Sequence, residues 1–402
     1  MKTITVKAST SYNIYIERGS IKNCCKTIAE TVKTRHVAVI TDDIVDALYY
    51  KTVEKSLKEN GFEVTKFVFP NGEESKSSDT LNRIYNFLCE SSITRSDCII
   101  ALGGGVVGDI TGFAAATFLR GIDYVQIPTT LLAQIDSSVG GKTAIDLPCG
   151  KNLVGAFKQP VCVICDSDVL ETLEPEILSD GMAEAIKYGM IRDEKLFDLI
   201  ASHNLENVHS IIDEIVFKSV SIKRDVVEND EFDTGERMIL NFGHTLGHSV
   251  ESYYNYKTYT HGSAVAIGMC MISRKGCSDE LTDKLVKCVH AYNLPDSCDA
   301  PANELVRLCH NDKKRVSNSI NYIICEEIGK ASIRKVTVDE FEKFILLRKR
   351  NTNVTYKLDN DGICITEQLA GTLGVRAGDT IYLSSDSGVR KPAVVSLSLI
   401  HI

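Results

Sequence analysis

The sequence predicts an α/β unit built on a largely parallel sheet, then a mostly α-helical unit and a small β appendage. Three observations carry that prediction. From about residue 35 to 170, short β-branched runs alternate with amphipathic stretches, as βαβ units require. Beyond about Leu173 the apolar residues recur at helical spacing almost throughout. After about residue 349, Val354 to Leu358 and Ile363 to Ile365 flank Asp359-Asn360-Asp361-Gly362 and read as a β-hairpin.

A chain of 402 residues is too long for one hydrophobic core to be the default; the units read as 1–174, 175–348 and 349–402. Apolar residues make up 44% and charged residues 25%, an ordinary globular composition. The net charge of −9 and pI near 5.6 argue against a nucleic-acid-coating surface and for a soluble, cytoplasmic protein. A basic pocket remains compatible with that balance. No run approaches the roughly 18 apolar residues of a membrane span.

Taken in order, Met1 to Val6 alternates polar and apolar residues without an apolar leader core, which reads as an edge strand. Val37 to Ile40 is a strand ending at Thr41-Asp42. Glu63 to Phe69 is the next, followed by a helix through Ile84 and Leu88. Cys98 to Leu102 leads into a glycine cluster and a helix over Ile110 to Leu119, and Tyr124 to Ile127 follows. Cys162 and Cys165 form a C-x-x-C inside the strand-like run Val161 to Asp166, whereas a redox motif would open a helix. The cysteines are therefore expected to be buried, reduced and structural. Leu178 to Met190, Lys195 to Ala201, Val208 to Val226, Met238 to Ser252 and Ser263 to Lys275 read as helices, before a strand at Ile320 to Ile324. The cleft between the two large units is the expected site. In the tail, Leu373 to Asp379 leads into Thr380 to Leu383, and Leu397 to Ile402 reads as an unnatural end that cuts the segment short.

Three segments carry chemistry. Gly103-Gly104-Gly105-Val106-Val107-Gly108-Asp109 matches G-x-G-x-x-G between a strand and a helix, where bare backbone N–H groups and the helix dipole favour a phosphate. Glycines also serve tight strand–helix packing, and this turn comes late for a first βα crossover. Asp42, at an upstream strand end, is the candidate ribose-binding acid. Pro128-Thr129-Thr130 through Asp136 to Gly140-Gly141-Lys142-Thr143 suits an anion, and equally suits a solvated polar loop. His244 and His248 lie four apart on one helix face, His261 opens another helix, and Glu184 and Lys187 share a third. Imidazoles and a carboxylate from several helices suit a catalytic zinc, while each histidine alone is more simply a hydrogen-bonded core or surface group.

Gly103 to Asp109, Pro128 to Thr143, Lys151-Asn152-Leu153-Val154-Gly155-Ala156-Phe157, Gly181 to Lys187, Leu240 to His248 and His261-Gly262-Ser263-Ala264-Val265-Ala266 together resemble the 3-dehydroquinate synthase family, over about residues 1 to 348. The resemblance implies a phosphate-eliminating cyclase acting on 3-deoxy-D-arabino-heptulosonate 7-phosphate in the shikimate pathway. Its catalytic NAD is oxidised and restored within each turnover, and zinc, replaceable by cobalt, is the metal. It implies Glu184, His244 and His261 as metal ligands, with His248 beside the reacting centre. That assignment departs from the spacing argument, which pairs His244 with His248. It implies NAD contacts at Asp42, Glu73, Lys76, Gly104, Gly105, Asp109, Thr129 and Thr130, with Lys142 and Lys151 close by. Substrate contacts fall on Asp136, Lys142, Lys151, Asn152, Lys187, Lys223, Arg237, Asn241 and Lys314. Arg120 resembles the arginine that, in a homodimer, reaches the neighbouring subunit's substrate phosphate. Lys142, Lys187, Lys223, Arg237, Asn241 and His248 are the expected catalytic set.

Two other enzyme readings share this frame: a cyclase for sedoheptulose 7-phosphate or glucose 6-phosphate, and a metal-dependent polyol dehydrogenase. A non-enzyme reading comes from the tail. Lys357 to Ile365 and Leu373 to Asp379 resemble the swapped-hairpin DNA-binding domain of bacterial transition-state regulators, but only Lys357, Arg376, Arg390 and Lys391 supply positive charge. A β appendage that aids folding or subunit contact is the simpler expectation.

Overall fold

The computed structural model describes residues 1–313, 319–346, 362–366, 380–384 and 390–399. Strands β1 (Lys2–Val6), β2 (Tyr12–Ile16), β3 (His36–Asp42), β4 (Glu63–Phe69), β5 (Cys98–Gly103), β6 (Asp123–Pro128) and β9 (Cys162–Cys165) form one sheet in the order β1-β2-β9-β6-β5-β3-β4. Every pairing is parallel except β1 with β2, so the edge strand expected at the N-terminus is present and pairs antiparallel. β5 is buried along its whole length because both faces are covered, which is why its sequence is an unbroken apolar run. Cys162 and Cys165 are both buried in β9, and a spacing of three puts them on opposite faces of the sheet.

Helices α1 (Cys24–Thr31), α2 (Asp43–Val45), α3 (Lys51–Glu59), α4 (Ser78–Glu90) and α5 (Gly105–Thr117) cover the sheet. From β3 the chain crosses to β4 on one side and then to β5 on the other. The carboxyl ends of β3 and β5 therefore flank a topological switch point, the usual ligand crevice of an open α/β sheet. Asp42 ends β3, and Gly103 ends β5 where α5 begins. The glycine turn comes late in the chain yet sits beside β3 in space.

Between β6 and β9 the structure differs from the loop the sequence suggests. A helical turn over Ala133–Ser137 is followed by an antiparallel hairpin of β7 (Lys142–Leu147) and β8 (Gly150–Phe157). Gly140 and Gly141, both at positive φ, obscure the strand period just before it.

The helical part comprises α6 (Pro175–Arg192), α7 (Glu194–Ala201), α8 (Ile212–Asn229), α9 (His244–Tyr253), α10 (His261–Gly276), α11 (Asp279–Ala291), α12 (Ala302–Lys313) and α13 (Val338–Leu346). The single helix expected over Met238 to Ser252 is interrupted. A short turn over Glu236–Asn241 ends before Gly243, whose φ of +81° caps α9. No Cβ fits there, because Met269 and the Val265 carbonyl of α10 press against the glycine. The strand expected at Ile320 to Ile324 is β10 (Ser319–Glu327), paired antiparallel with β11 (Lys330–Thr337), which the sequence reading did not anticipate. In the tail, β12 (Gly362–Thr366) lies parallel to β14 (Arg390–Leu399), and β13 (Thr380–Ser384) pairs antiparallel with β14. The Val354 to Leu358 arm of the expected hairpin, Leu373 to Asp379 and Lys314 lie outside the described residues. Among the described residues, no helix is long and apolar enough to cross a membrane.

Candidate active site

Three helices place the metal-type side chains together. Glu184 and Lys187 lie three apart on α6, both 1% exposed, and their side chains form an ion pair. His244 opens α9 and His261 opens α10, so both imidazoles sit at helix N-termini facing α6. Glu184 Oε1 lies 3.5 Å from His244 Nε2 and 3.9 Å from His261 Nε2. That oxygen is buried and has no hydrogen-bond partner, an expensive state for a carboxylate unless a cation joins it. The ligand atoms of Glu184, His244 and His261 all lie within 4.8 Å of one another, a fit for one small divalent ion with room for an exogenous ligand.

Electrostatics separates the two imidazoles. Burial, with the Lys187 ammonium and the other two rings nearby, holds His244 well below the usual histidine range. Burial also works against His261, but the Glu251, Glu184 and Asp180 carboxylates outweigh it and push that ring up to about 9. His248 stands on the same face of α9, its ring centroid 5.4 Å from that of His244 and 6.1 Å from that of His261. It belongs to a second close group with Glu251 and His261, so the structure brings it beside the triad.

A cationic cluster surrounds Asp136. Lys223 donates to the Asp136 carbonyl at 2.6 Å and to its Oδ1 at 2.8 Å, and the Tyr188 hydroxyl donates to the same Oδ1. Burial would raise the Asp136 carboxyl, but the Lys223 and Lys187 ammonium groups prevail and hold it far below the carboxylate range. Lys223 is drawn down to about 8, by burial first and then by Arg237 and Lys187, against the pull of Asp136. Arg237 is buried, donating to the Glu231 and Gly140 carbonyls. Lys142 is half-exposed and paired with Asp233. Lys187, Lys223 and Arg237 are thus gathered in the interior with Lys142 at the edge, a concentration of cations that suits an anion.

At the switch point, Lys76 donates to Asp109 Oδ2 at 2.6 Å and to Asn152 Oδ1 at 2.5 Å. Asp42 spends one oxygen capping α2 through the Val45 N–H at 2.9 Å. A Cβ on Gly104 would lie 3.1 Å from the Thr130 methyl, and one on Gly105 would lie 3.3 Å from Ser137 Oγ. The hydroxyls of Thr129 and Ser137 are buried without partners beside this turn. Bare backbone, a helix N-terminus and orphaned hydroxyls fit a dinucleotide's phosphates and ribose. Lys151 joins the two halves: its Nζ lies 4.0 Å from Glu73, which neighbours Lys76 at 3.9 Å, and 3.4 Å from Glu251 Oε1.

Residues 66–180 and 181–315 match the family models described as 3-dehydroquinate synthase N-terminal and 3-dehydroquinate synthase C-terminal. The chain is 46% identical over 343 residues to the 3-dehydroquinate synthase of Clostridium botulinum (strain Alaska E43 / Type E3), covering 83% of this chain and 97% of that protein.

The chain belongs to the 3-dehydroquinate synthase family.

It is an enzyme of that family, and two solved synthase structures share its fold. A 2-deoxy-scyllo-inosose synthase complexed with carbaglucose-6-phosphate, NAD+ and Co2+ superposes with a TM-score of 0.76 at 22% identity, over 86% of this chain and 99% of that one. The 2-epi-5-epi-valiolone synthase of Streptomyces hygroscopicus subsp. jinggangensis 5008, with NAD+ and Zn2+ bound, gives 0.77 at 23% identity, over 85% and 98%.

Not every expected residue joins the cluster. Arg120 is exposed in a left-handed turn just after α5, with φ of +67°, and pairs with no described acidic group. Asn241 is exposed at the end of the turn before α9. Glu251 was missed. It lies seven residues after His244 and three after His248, a helical i, i+4, i+7 series that a search of the α9 face would have found. Asp180, which accepts the Gly262 N–H and seats the first turn of α10, was missed because a helix cap from a distant helix has no local signature.

Proposed function

We propose that the chain is a 3-dehydroquinate synthase, converting 3-deoxy-D-arabino-heptulosonate 7-phosphate to 3-dehydroquinate and inorganic phosphate with NAD and zinc as resident groups and cobalt as a workable substitute. One observation carries the reading. A continuous set of polar contacts runs from Glu184, His244 and His261 through Glu251 and Lys151 to Glu73, Lys76 and Asp109 at the switch point. A metal site and a dinucleotide crevice that meet in this way suit reversible oxidation of a substrate hydroxyl.

In this reading Glu184, His244 and His261 hold the metal. Asp42, Glu73, Lys76, Gly104, Gly105, Asp109, Thr129 and Thr130 line the NAD site, with Lys142 and Lys151 at its border. When bound, the metal supplies Lewis acidity toward substrate hydroxyls and NAD supplies a reversible hydride acceptor. The chain does the rest. Lys187, Lys223 and Arg237 neutralise the substrate's carboxylate and phosphate, and Lys142, Asn152, Asn241 and Lys314 complete the anion contacts. Asp136 fixes Lys223, so its ammonium is positioned before substrate arrives. His248 is the nearest remaining imidazole and is poised to hold or pass a proton. Exposed Arg120 reaches across a homodimer to the second subunit's substrate phosphate. Residues 1–174 form the NAD-binding unit and 175–348 the metal and substrate unit of a cytoplasmic enzyme.

The test is phosphate release from 3-deoxy-D-arabino-heptulosonate 7-phosphate with NAD and zinc, with and without chelator, beside Glu184→Ala. The expected result is chelator-sensitive conversion to a product with the mass of 3-dehydroquinate and no net NADH. Turnover of sedoheptulose 7-phosphate alone would move the chain to a sister cyclase.

A further inference from the structure

We propose that Glu251 is a positioning residue for the metal, an inference that rests on the metal reading above: it fixes the tautomer and ring orientation of His261 from behind. The side chain is 3% exposed, so its charge is held inside the protein and must be matched there. Its two oxygens are divided between two partners. Oε2 lies 3.5 Å from His261 Nδ1, and Oε1 lies 3.4 Å from Lys151 Nζ. A carboxylate at Nδ1 keeps a proton on that nitrogen, so Nε2, 3.9 Å from Glu184 Oε1, is the atom presented to a bound metal.

His244 is oriented by the same logic with a weaker group. Its Nδ1 lies 3.3 Å from the Phe242 carbonyl, and its Nε2 faces the same Glu184 oxygen. Both imidazoles are therefore held at Nδ1 and presented at Nε2, one by a neutral acceptor and one by an anion. The anion makes His261 the more basic ligand. Lys151 offsets the added negative charge and is itself steadied over the Tyr256 ring, at 4.8 Å from the centroid. The Tyr256 N–H donates to the Glu251 carbonyl at 2.8 Å, which ties this contact to the end of α9.

Glu251→Gln keeps the size of the side chain but loses the charge, and its single carbonyl oxygen can no longer serve both His261 and Lys151. The experiment strips the metal from wild type, Glu251→Gln and Glu251→Asp, then titrates Zn2+ and Co2+ against a chromophoric chelator. Visible Co2+ absorption reports ligand geometry, and thermal melting of the metal-free proteins reports folding. The expected result is a metal affinity about 10- to 100-fold weaker in Glu251→Gln with altered Co2+ bands, and an intermediate affinity in Glu251→Asp. A folded Glu251→Gln with wild-type affinity and bands overturns the inference. A loss beyond about a thousandfold also overturns it, since that would make Glu251 a ligand. Should Glu251→Gln fail to fold, Glu251→Asp decides, and an affinity within twofold of wild type refutes the positioning role. Failure of the wild type to bind metal at all would instead refute the underlying metal reading.

Discussion

Replacing Lys223 with methionine removes one ammonium and leaves the shape of α8 nearly unchanged. Its partner Asp136 then keeps its negative charge with only the Tyr188 hydroxyl donating to it among the side chains described. Breaking a buried pair on one side costs about 3–5 kcal/mol. Here Lys223 is 7% exposed in its side chain but Asp136 retains 27%, so water recovers part of the loss. We expect about 3 kcal/mol, the lower end of that range. The assay is urea unfolding of Lys223→Met, Asp136→Asn and the double variant, compared at equal denaturant slope. The double variant removes the orphaned charge and should regain most of the loss, giving a coupling of about 2 kcal/mol or more. Lowering the pH should also narrow the gap. Wild-type Asp136 has a depressed pKa, so its stabilisation is present above the unfolded carboxylate pKa and fades as pH falls through the folded value. In the variant the same carboxylate is disfavoured, and protonation relieves it. A Lys223→Met protein that loses less than about 1 kcal/mol, or a double variant as weak as the single, would refute the view that these groups form one balanced pair.

Three further outcomes follow from the same geometry. Because Lys223 sits near 8, binding of inorganic phosphate should weaken as pH rises from 7 to 9, and calorimetry in two buffers should show proton uptake in that interval; pH-independent binding would remove Lys223 from the anion site. A Cβ on Gly268 would collide with the Gly243 carbonyl oxygen and come within 2.9 Å of Gly247 N, so Gly268→Ala should cost about 1–3 kcal/mol and weaken metal binding by parting α9 from α10; unchanged melting and metal affinity would contradict the packing. At a metal concentration of about 100 times Kd, saturation should stabilise the protein by about 2.7 kcal/mol, visible as a melting shift that chelator abolishes and Glu184→Gln lacks.

Most of the sheet was legible because its central strands are buried on both faces and so must be apolar along their length. The β7–β8 hairpin was not, because its outer strand, with Leu153, Val154 and Phe157 all exposed, shows no polar–apolar alternation to mark it as a strand. The break before α9 was hidden for a different reason. Gly243 looks like a tolerated helix glycine until α10 is seen to press against it. The tail resemblance falls mainly on residues outside those described, so β12, β13 and β14 add strand pairing without testing it.

Sequence by itself determined the family, the glycine turn, the order of the motifs and the identities of the cations and imidazoles, because each is carried by residue type and local spacing. Tertiary structure alone decided which side chains meet. It brought Glu184, His244 and His261 together from three helices, and it left one Glu184 oxygen without a hydrogen-bond partner between the two imidazoles. It added Glu251 behind His261, and it placed a turn that is late in the chain beside β3 at the switch point. These are contacts between residues distant in sequence, fixed by how the helices pack and how the sheet crosses over, and no local pattern encodes them.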